Sequence, residues 1–291
     1  HLNQLSKNKL KNKFIIKFSD HHLSHASSAF YPSNFSNAAI ITADGVGEFA
    51  TTTISHGNDE AIDIIKKIDY PDSLGLLYSA FTYYLGFKVN SDEYKVMGLA
   101  PYGEPKYKDI ILKNIIDTKE DGSFRLNQKY FSYSTGLEMT NQKFDELFSN
   151  NKRNEKDIIT QEHMDLAASI QSVTEQIMIS ICRYAKKITK SENLCLAGGV
   201  ALNCVANGKI IDSKIFKKVW IQPAAGDAGG ALGAALVSYY NKHNGKRKYS
   251  HEKLDNMKNS YLGSIIKDHE IEDELNKNNF FTDVSNYIAY E

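Results

Sequence analysis

Three extended runs follow one another early in this chain, and two strand–helix pairs close its last third. Ala38–Ala43 is an apolar run ending in Asp44-Gly45-Val46-Gly47, a turn signal. Phe49–Ser55 is β-branched and Thr-rich, and Ile62–Ile68 alternates loosely. Short runs of this kind predict an antiparallel meander. Further on, Asn193–Ala197 predicts a strand, Gly198-Gly199 a turn and Val200–Ile211 a helix. Lys218–Gln222 predicts another strand, and Gly226-Asp227 leads into a helix to about Tyr240. Between the two patterns lies the longest periodic segment, with Leu166, Ile170, Val173, Ile177 and Ile181 on one helical face. Such a stripe reads as core packing against a sheet. A meander joined to alternating helices and strands implies one mixed sheet flanked by helices, an α/β layer structure. Its turns at Asp44, Gly198 and Gly226 then fall at one sheet edge, where ligands bind in such folds.

The remaining segments are plainer. Phe14–Phe18 reads as a short strand. Ser19-Asp20 offers N-cap oxygens for a helix through about Phe30, ended by Pro32. Ser73 can cap a helix from Leu74 to about Leu85. A polar, Gly- and Pro-punctuated region runs from Lys88 to Pro105, and Lys106–Glu155 mixes short pieces, so 88–155 reads as an insertion. Asn241–Ser260 is Lys/Asn-rich and reads as a linker, and Tyr261–Glu291 as the start of another module.

Composition excludes several classes of function. Lys+Arg 35 against Asp+Glu 35 removes the electrostatic argument for a nucleic-acid or anionic-membrane partner. Cys182, Cys195 and Cys204 are odd in number and lack CxxC spacing, which fits neither a disulfide framework nor a zinc ribbon. They suit a reducing cytosol, where buried cysteines behave as small apolar residues. The apolar stretches Leu194–Ala206 and Ala224–Tyr240 are broken by Asn203 and Asp227, so neither is a membrane span. The Lys-rich start has no apolar signal-peptide core. The expectation is a cytoplasmic protein, and a chain beginning at His1 reads as part of a longer one.

In His21-His22-Leu23-Ser24-His25 the first and last histidines stand at i and i+4 on one helical face, a spacing that lets two imidazoles reach one metal ion. His22 faces elsewhere. No Glu follows His21, which excludes the HExxH protease mechanism. Asp44 ends an apolar strand and Asp227 opens a Gly-rich helix start. With the two histidines they compose an N2O2 set suited to iron, zinc or manganese, although spacing alone leaves open whether they meet. Turn formation at Asp44 and helix-dipole stabilisation at Asp227 are the plainer alternatives. The Gly-rich turns at Asp44–Gly47 and Ala197–Val200 can present backbone N–H groups to phosphate. Neither matches a P-loop or Rossmann fingerprint. Lys95 could meet a phosphate or carboxylate, with a solvated lysine as the default. No Ser-His-Asp or Cys-His order stands out, and the cysteines lie in apolar company, which argues against thiolates.

Taken together, "DHHLSHASSAFYPSNF", "ITADGVGEFATT", "SLGLLYSAFTYYLGF", "DEYKVMGLAPYG", "LCLAGGVALNCVANGKI" and "IQPAAGDAGGALGAAL" resemble the NodU/CmcH-type O-carbamoyltransferases, in that family's order, from Asp20 to Leu236. The resemblance implies a Kae1/TsaD-like core of the actin-like ATPase (ASKHA, ribonuclease H-like) superfamily, joined to a YrdC-like domain. It implies that ATP and carbamoyl phosphate give a carbamoyl-adenylate, whose carbamoyl group passes to a hydroxyl of a sugar, antibiotic or other small acceptor. It further implies a divalent metal, Fe2+ before Zn2+ or Mn2+, held by His21, His25, Asp44 and Asp227. Gly45, Val46, Gly47, Gly198, Gly199, Val200 and Asn203 would meet the nucleotide, with Asn203 one turn into its helix and facing ribose or phosphate. Asp44 and His22 stand as catalytic candidates.

On this reading residues 1–36 are a remnant of the first ASKHA half, 37–242 are the second half with its insertion, and 243–291 are a linker and the start of a YrdC-like region. The family's early phosphate loop has no counterpart before Asp20, and its Gly-Pro-Arg-Ala-Leu-Gly-type motif is absent. The missing segments are expected in cis or in trans, and homo-oligomerisation stays open. A tRNA threonylcarbamoyl transferase-like enzyme and a non-catalytic nucleotide-binding subunit are the rival readings, the first opposed by the neutral charge.

Overall fold

A computed structural model describes residues 16–148, 152–242, 245–247, 249 and 255–277. The chain divides into two units, His1–Asn256 and Met257–Glu291.

The first unit is built on a five-stranded sheet of order β3-β2-β1-β6-β7. Strands β1 (Asn37–Gly47), β2 (Ala50–Asn58) and β3 (Ala61–Asp69) form the expected antiparallel meander. β6 (Asn193–Ala197) adds to β1 in parallel, and β7 (Lys218–Ile221) to β6 in parallel. The carboxyl ends of β1, β6 and β7 therefore lie along one edge of the sheet.

Side-chain alternation along each strand divides the core in two. Ala39, Ile41, Ala43, Leu194 and Leu196 face one side, which is covered by α2 (Leu74–Tyr84) and by α5 (Gln161–Thr189). All five residues of the periodic stripe, Leu166 to Ile181, are buried there. Ala38, Ile40, Cys195 and Ala197 face the other side, with α1 (His21–Phe30) and α7 (Ala228–Val237) packed over it. Asp44 shares the parity of Ala38 and Ile40, so its side chain belongs to the face covered by α1.

The region read as an insertion packs into the main core. After the short helix α3 (Glu93–Leu99), its hairpin of β4 (Ile116–Thr118) and β5 (Phe124–Leu126) and its helix α4 (Gln142–Leu147) bury Ile116, Phe124, Leu126 and Phe144 in the cluster that holds α2 and α5. Phe144 and Phe148 meet Phe81 and Tyr84 of α2 edge-on or tilted, with ring centroids 5.0–5.9 Å apart.

Several local expectations are corrected. Ile16–Phe18 carry no strand, while Phe14 and Ile15 lie outside the described residues. Asp44–Gly47 is not the turn: β1 runs through it with a register shift between Ala43 and Gly47, and Glu48-Phe49 makes the turn with Glu48 at φ 56°. The helix expected at Val200–Ile211 is split into a 3-10 turn, Gly199–Leu202, and α6, Cys204–Asp212. Asn203 separates them as a cap, its side chain accepting from the Ala206 N–H at 3.0 Å. Ser73 caps α2 as expected.

The stretch read as a linker contains a buried arginine. Arg247 donates to the carbonyls of Phe30, Tyr31, Ser33, Phe35 and Asp59 at 2.8–3.3 Å, and its guanidinium lies 4.4 Å from the Phe30 ring centroid. These carbonyls include those at the C-terminal end of α1, which a guanidinium fork is well suited to cap. In the second unit, the described residues form one regular helix, α8 (Asp268–Lys277), whose residues are all at least partly exposed.

Candidate metal centre

α1 begins at His21, and its first turn lies over the carboxyl end of β1. The i, i+4 spacing brings the imidazoles of His21 and His25 within 2.9 Å, Nε2 to Nε2. Both nitrogens meet the Asp44 carboxylate, His21 Nε2 at 2.8 Å and His25 Nε2 at 3.0 Å from Oδ2. Asp227 Oδ1 lies 3.4 Å from each of the same nitrogens. Asp227 stands at the start of α7, yet its side chain caps no helical N–H. The helix dipole still favours a carboxylate at this position, but no hydrogen bond ties the side chain to the helix. His25 is fully enclosed, His21 and Asp44 are partly covered, and Asp227 sits at the open side of the cluster.

Two crossings hold these parts together. α7 approaches α1 so closely that a Cβ on Gly233 would lie 1.8 Å from the Ser24 carbonyl oxygen. At the β6 turn, Gly198 has φ +90°, and a Cβ there would lie 2.2 Å from the Ala43 carbonyl oxygen. Gly198 thus lets the next residue close on β1, where the Gly199 N–H donates to Asp44 Oδ1 at 3.0 Å. Ser73 fastens the same strand end from the opposite layer, donating to the Gly45 carbonyl at 2.6 Å.

The donor set can be tested against a cation by its chemistry. An imidazole nitrogen either donates or accepts, and a carboxylate only accepts. Two imidazole nitrogens and two carboxylates facing inward therefore leave lone pairs opposed unless protons or a cation separate them. Ligands about 2.0–2.2 Å from one ion stand about 3 Å apart when adjacent, and the measured separations here are 2.8–3.4 Å. The four donor atoms all lie within 4.8 Å of one another. His21, His25, Asp44 and Asp227 fit a divalent ion of the iron, zinc or manganese kind.

The carboxylates that would attract an ion also attract protons to the imidazoles. Burial opposes charge on Asp44, but hydrogen bonds from His21 and His25 hold its carboxyl well below the usual carboxylate range. The Asp44 hydrogen bond raises the His21 pKa against the opposing effect of burial.

His22, the other catalytic candidate, is buried beside the cluster. It is 3% exposed, and burial pushes its pKa down to about 4. Nδ1 lies 2.7 Å from Thr42 Oγ1 and Nε2 2.8 Å from the Ala50 carbonyl, so both nitrogens are engaged away from the cluster.

The nucleotide candidates gather at the same edge with unequal freedom. Gly45 and Val46 are partly open, Gly47 is buried beside the His21 ring, and Gly198 is buried. The Gly199 N–H is engaged by Asp44, and Val200 lies in the 3-10 turn. Asn203 is a cap whose amide exchanges hydrogen bonds with Gln171 at 2.8 and 3.1 Å, which corrects its expected place inside a helix. Gln171 also accepts from the Tyr78 hydroxyl at 2.9 Å. Neither residue was marked by the sequence, because Tyr78 and Gln171 read as ordinary positions on helical faces. Lys95 pairs with Asp92 at 3.0 Å. Cys182 and Cys195 are buried, and burial pushes both thiols up to about 12. Cys204 departs from the expected apolar company: it is exposed, 3.8 Å from Met97 Sδ.

The sequence model described as "Carbamoyltransferase N-terminus" matches residues 2–236, and the chain belongs to that family, the NodU-type carbamoyltransferases. Protein sll1178 of Synechocystis sp. is 55% identical over 260 residues, covering 89% of this chain and 42% of that protein. Nodulation protein NolNO of Sinorhizobium fredii is 41% identical over 222 residues, 76% of this chain and 31% of that one. Nodulation protein NolO of Bradyrhizobium diazoefficiens is 37% identical over 220 residues, 75% and 38% respectively. The chain thus spans less than half the length of these relatives. A crystal structure of T. kodakarensis HypF covers 84% of this chain and 39% of its own with TM-score 0.39 at 14% identity, too remote to carry an argument.

Proposed function

We propose that this chain is the metal- and nucleotide-binding portion of an O-carbamoyltransferase that uses ATP and carbamoyl phosphate to carbamoylate a hydroxyl of a small acceptor. The observation that carries the reading is the His21–His25–Asp44–Asp227 cluster at the carboxyl edge of the sheet, in a chain of the carbamoyltransferase family. A meander continued by two parallel strands, in the order β3-β2-β1-β6-β7, supports assigning the sheet to one half of an actin-like, Kae1-type core.

A bound divalent ion would supply Lewis-acid polarisation of a donor or acceptor oxygen. The chain's own residues hold and shape that position. Asp44 stays ionised, and the Gly199 N–H orients its second oxygen. Asp227, at the open side, has room to shift when a substrate enters. Gly45 and Val46 present open backbone beside the cluster, where the nucleotide phosphates of a carbamoyl-adenylate would lie and AMP would depart. Asp44 is engaged by both imidazoles and by the Gly199 N–H, and His22 by Thr42 and the Ala50 carbonyl.

The test is carbamoyl transfer by the full-length protein from labelled carbamoyl phosphate, with ATP, to hydroxylated acceptors. Chelation and His25→Ala are each expected to lower turnover by two orders of magnitude or more. Undiminished transfer in His25→Ala would remove the metal role. Label appearing on tRNA instead of small acceptors would move the protein to the threonylcarbamoyl class.

A further inference from the structure

We propose that His22 is a positioning residue: with Thr42 and Thr53 it fixes the rotation of α1 so that His21 and His25 face Asp44. The proposal rests on the metal reading of the four-residue cluster.

The directions of these hydrogen bonds are settled by chemistry. A carbonyl only accepts, so His22 Nε2 carries the proton and donates to the Ala50 carbonyl at 2.8 Å. Nδ1 is then the acceptor, and the hydroxyl of Thr42 donates to it at 2.7 Å. With that proton committed, Thr42 Oγ1 accepts from the Thr53 hydroxyl at 2.6 Å. The chain runs Thr53, Thr42, His22, Ala50, starting and ending on β2 with α1 held between. Each link has one polarity, and all three side chains are 3% exposed or less.

Its place in the fold gives it leverage. Thr42 and Asp44 are two residues apart on β1, so their side chains leave the same face of the strand. His22 follows His21 by 100° around the helix. One face of β1 therefore grips α1 at two points, through His22 at Thr42 and through the metal ligands at Asp44. The first grip is complete in protein atoms alone, so it sets the helix before any ion is bound. Ring nitrogens stand about 5–6 Å from a helix axis, so a rotation of about 10–20° displaces them on the order of 1–2 Å. Ligand separations of 2.8–3.4 Å leave no room for such an error.

The test uses Co2+ as probe, read by its visible absorption band and by calorimetric titration of this chain. Wild type is expected to bind one equivalent, and His25→Ala none. A wild type without stoichiometric binding would overturn the metal reading and this proposal with it. Thr42→Val keeps the shape of Thr42 but removes the donor to His22. It is expected to weaken Co2+ binding about 10–100-fold, the range seen when groups supporting metal ligands are lost, and to alter the absorption band. Thr42→Ser restores the hydroxyl and is expected to recover both. Thr53→Val, one link further out, gives a smaller loss in the same direction and carries the test if Thr42→Val does not fold. Wild-type affinity and spectrum in folded Thr42→Val, or in Thr53→Val in its place, would overturn the positioning role while leaving the metal site standing. So would a Thr42→Ser variant as defective as Thr42→Val.

Discussion

Neighbouring histidines on α1 respond to acid with opposite signs. His22 is held neutral, its pKa lowered from 6.5 to about 4 by burial. Its contribution to stability is present above 6.5 and is lost as pH falls from 6.5 towards 4, because the unfolded chain takes up the proton first. His21 is raised above 6.5, mainly by its Asp44 hydrogen bond, so its contribution is present below 6.5 and is lost as pH rises through its folded value. Between pH 6.5 and 4 His22 and the likewise lowered His163 both reduce stability, the His22 share having an upper bound of about 3 kcal/mol at about 1.4 kcal/mol per pH unit. Urea unfolding at stepped pH should show this loss in wild type and a flatter profile in His22→Gln. A second expectation concerns the thiols. With two of three raised to about 12 by burial, a disulfide reagent at pH 8 should titrate one equivalent, Cys204, in folded protein and three after denaturation. The HxxxH spacing was legible from sequence because two residues four apart must share a helical face. Thr42 was not, since a hydroxyl inside an apolar run reads as another β-branched strand residue. Cys204 was misread because an apolar sequence neighbourhood says nothing about which face of a short helix meets solvent.

Periodic elements were the readable ones. The meander, the long α5 stripe and the strands β6 and β7 follow from alternation or 3.6-residue spacing, and their centres lie where the pattern put them. Failures occur where a side chain overrules the pattern. Asn203 stops one helix and starts another by capping, and Asp44–Gly47 stays in the strand although Asp-Gly and Gly pairs usually mark turns. The segment 88–155, read as an insertion because its pieces are short, packs into the core, with Phe144 fully buried against α2. Phe144→Ala should therefore destabilise the protein by about 3–5 kcal/mol, the usual range for a buried phenylalanine, measured by denaturant midpoint. The crossing of α1 and α7 is equally demanding. Gly233→Val places atoms where the Ser24 carbonyl stands, so the helices must separate. Asp227 would then move away from His21 and His25. Stability should fall by about 1–3 kcal/mol, and divalent metal affinity should fall more steeply than in substitutions made elsewhere on α7.

At the scale of the molecule, the candidate site joins segments more than 200 residues apart, from α1 at His21 to the α7 start at Asp227. An ion bound there would tie α1 to the unit formed by β7 and α7. Metal at a hundredfold excess over its dissociation constant should stabilise the fold by about 2.7 kcal/mol. A thermal melt with and without a chelator measures this, and His25→Ala should erase the difference. No helix among the described residues is long and apolar enough to cross a membrane. The segment after Tyr240 was misjudged because low hydrophobicity was taken for solvation. Arg247 shows what that misses: one polar residue can be as deeply committed as a leucine. The family match ends at residue 236, and the sheet has closed by then. Anyone trimming the gene there for expression would leave the carbonyls of Phe30, Tyr31, Ser33, Phe35 and Asp59 without their donor. The practical boundary of the folded unit lies beyond Arg247.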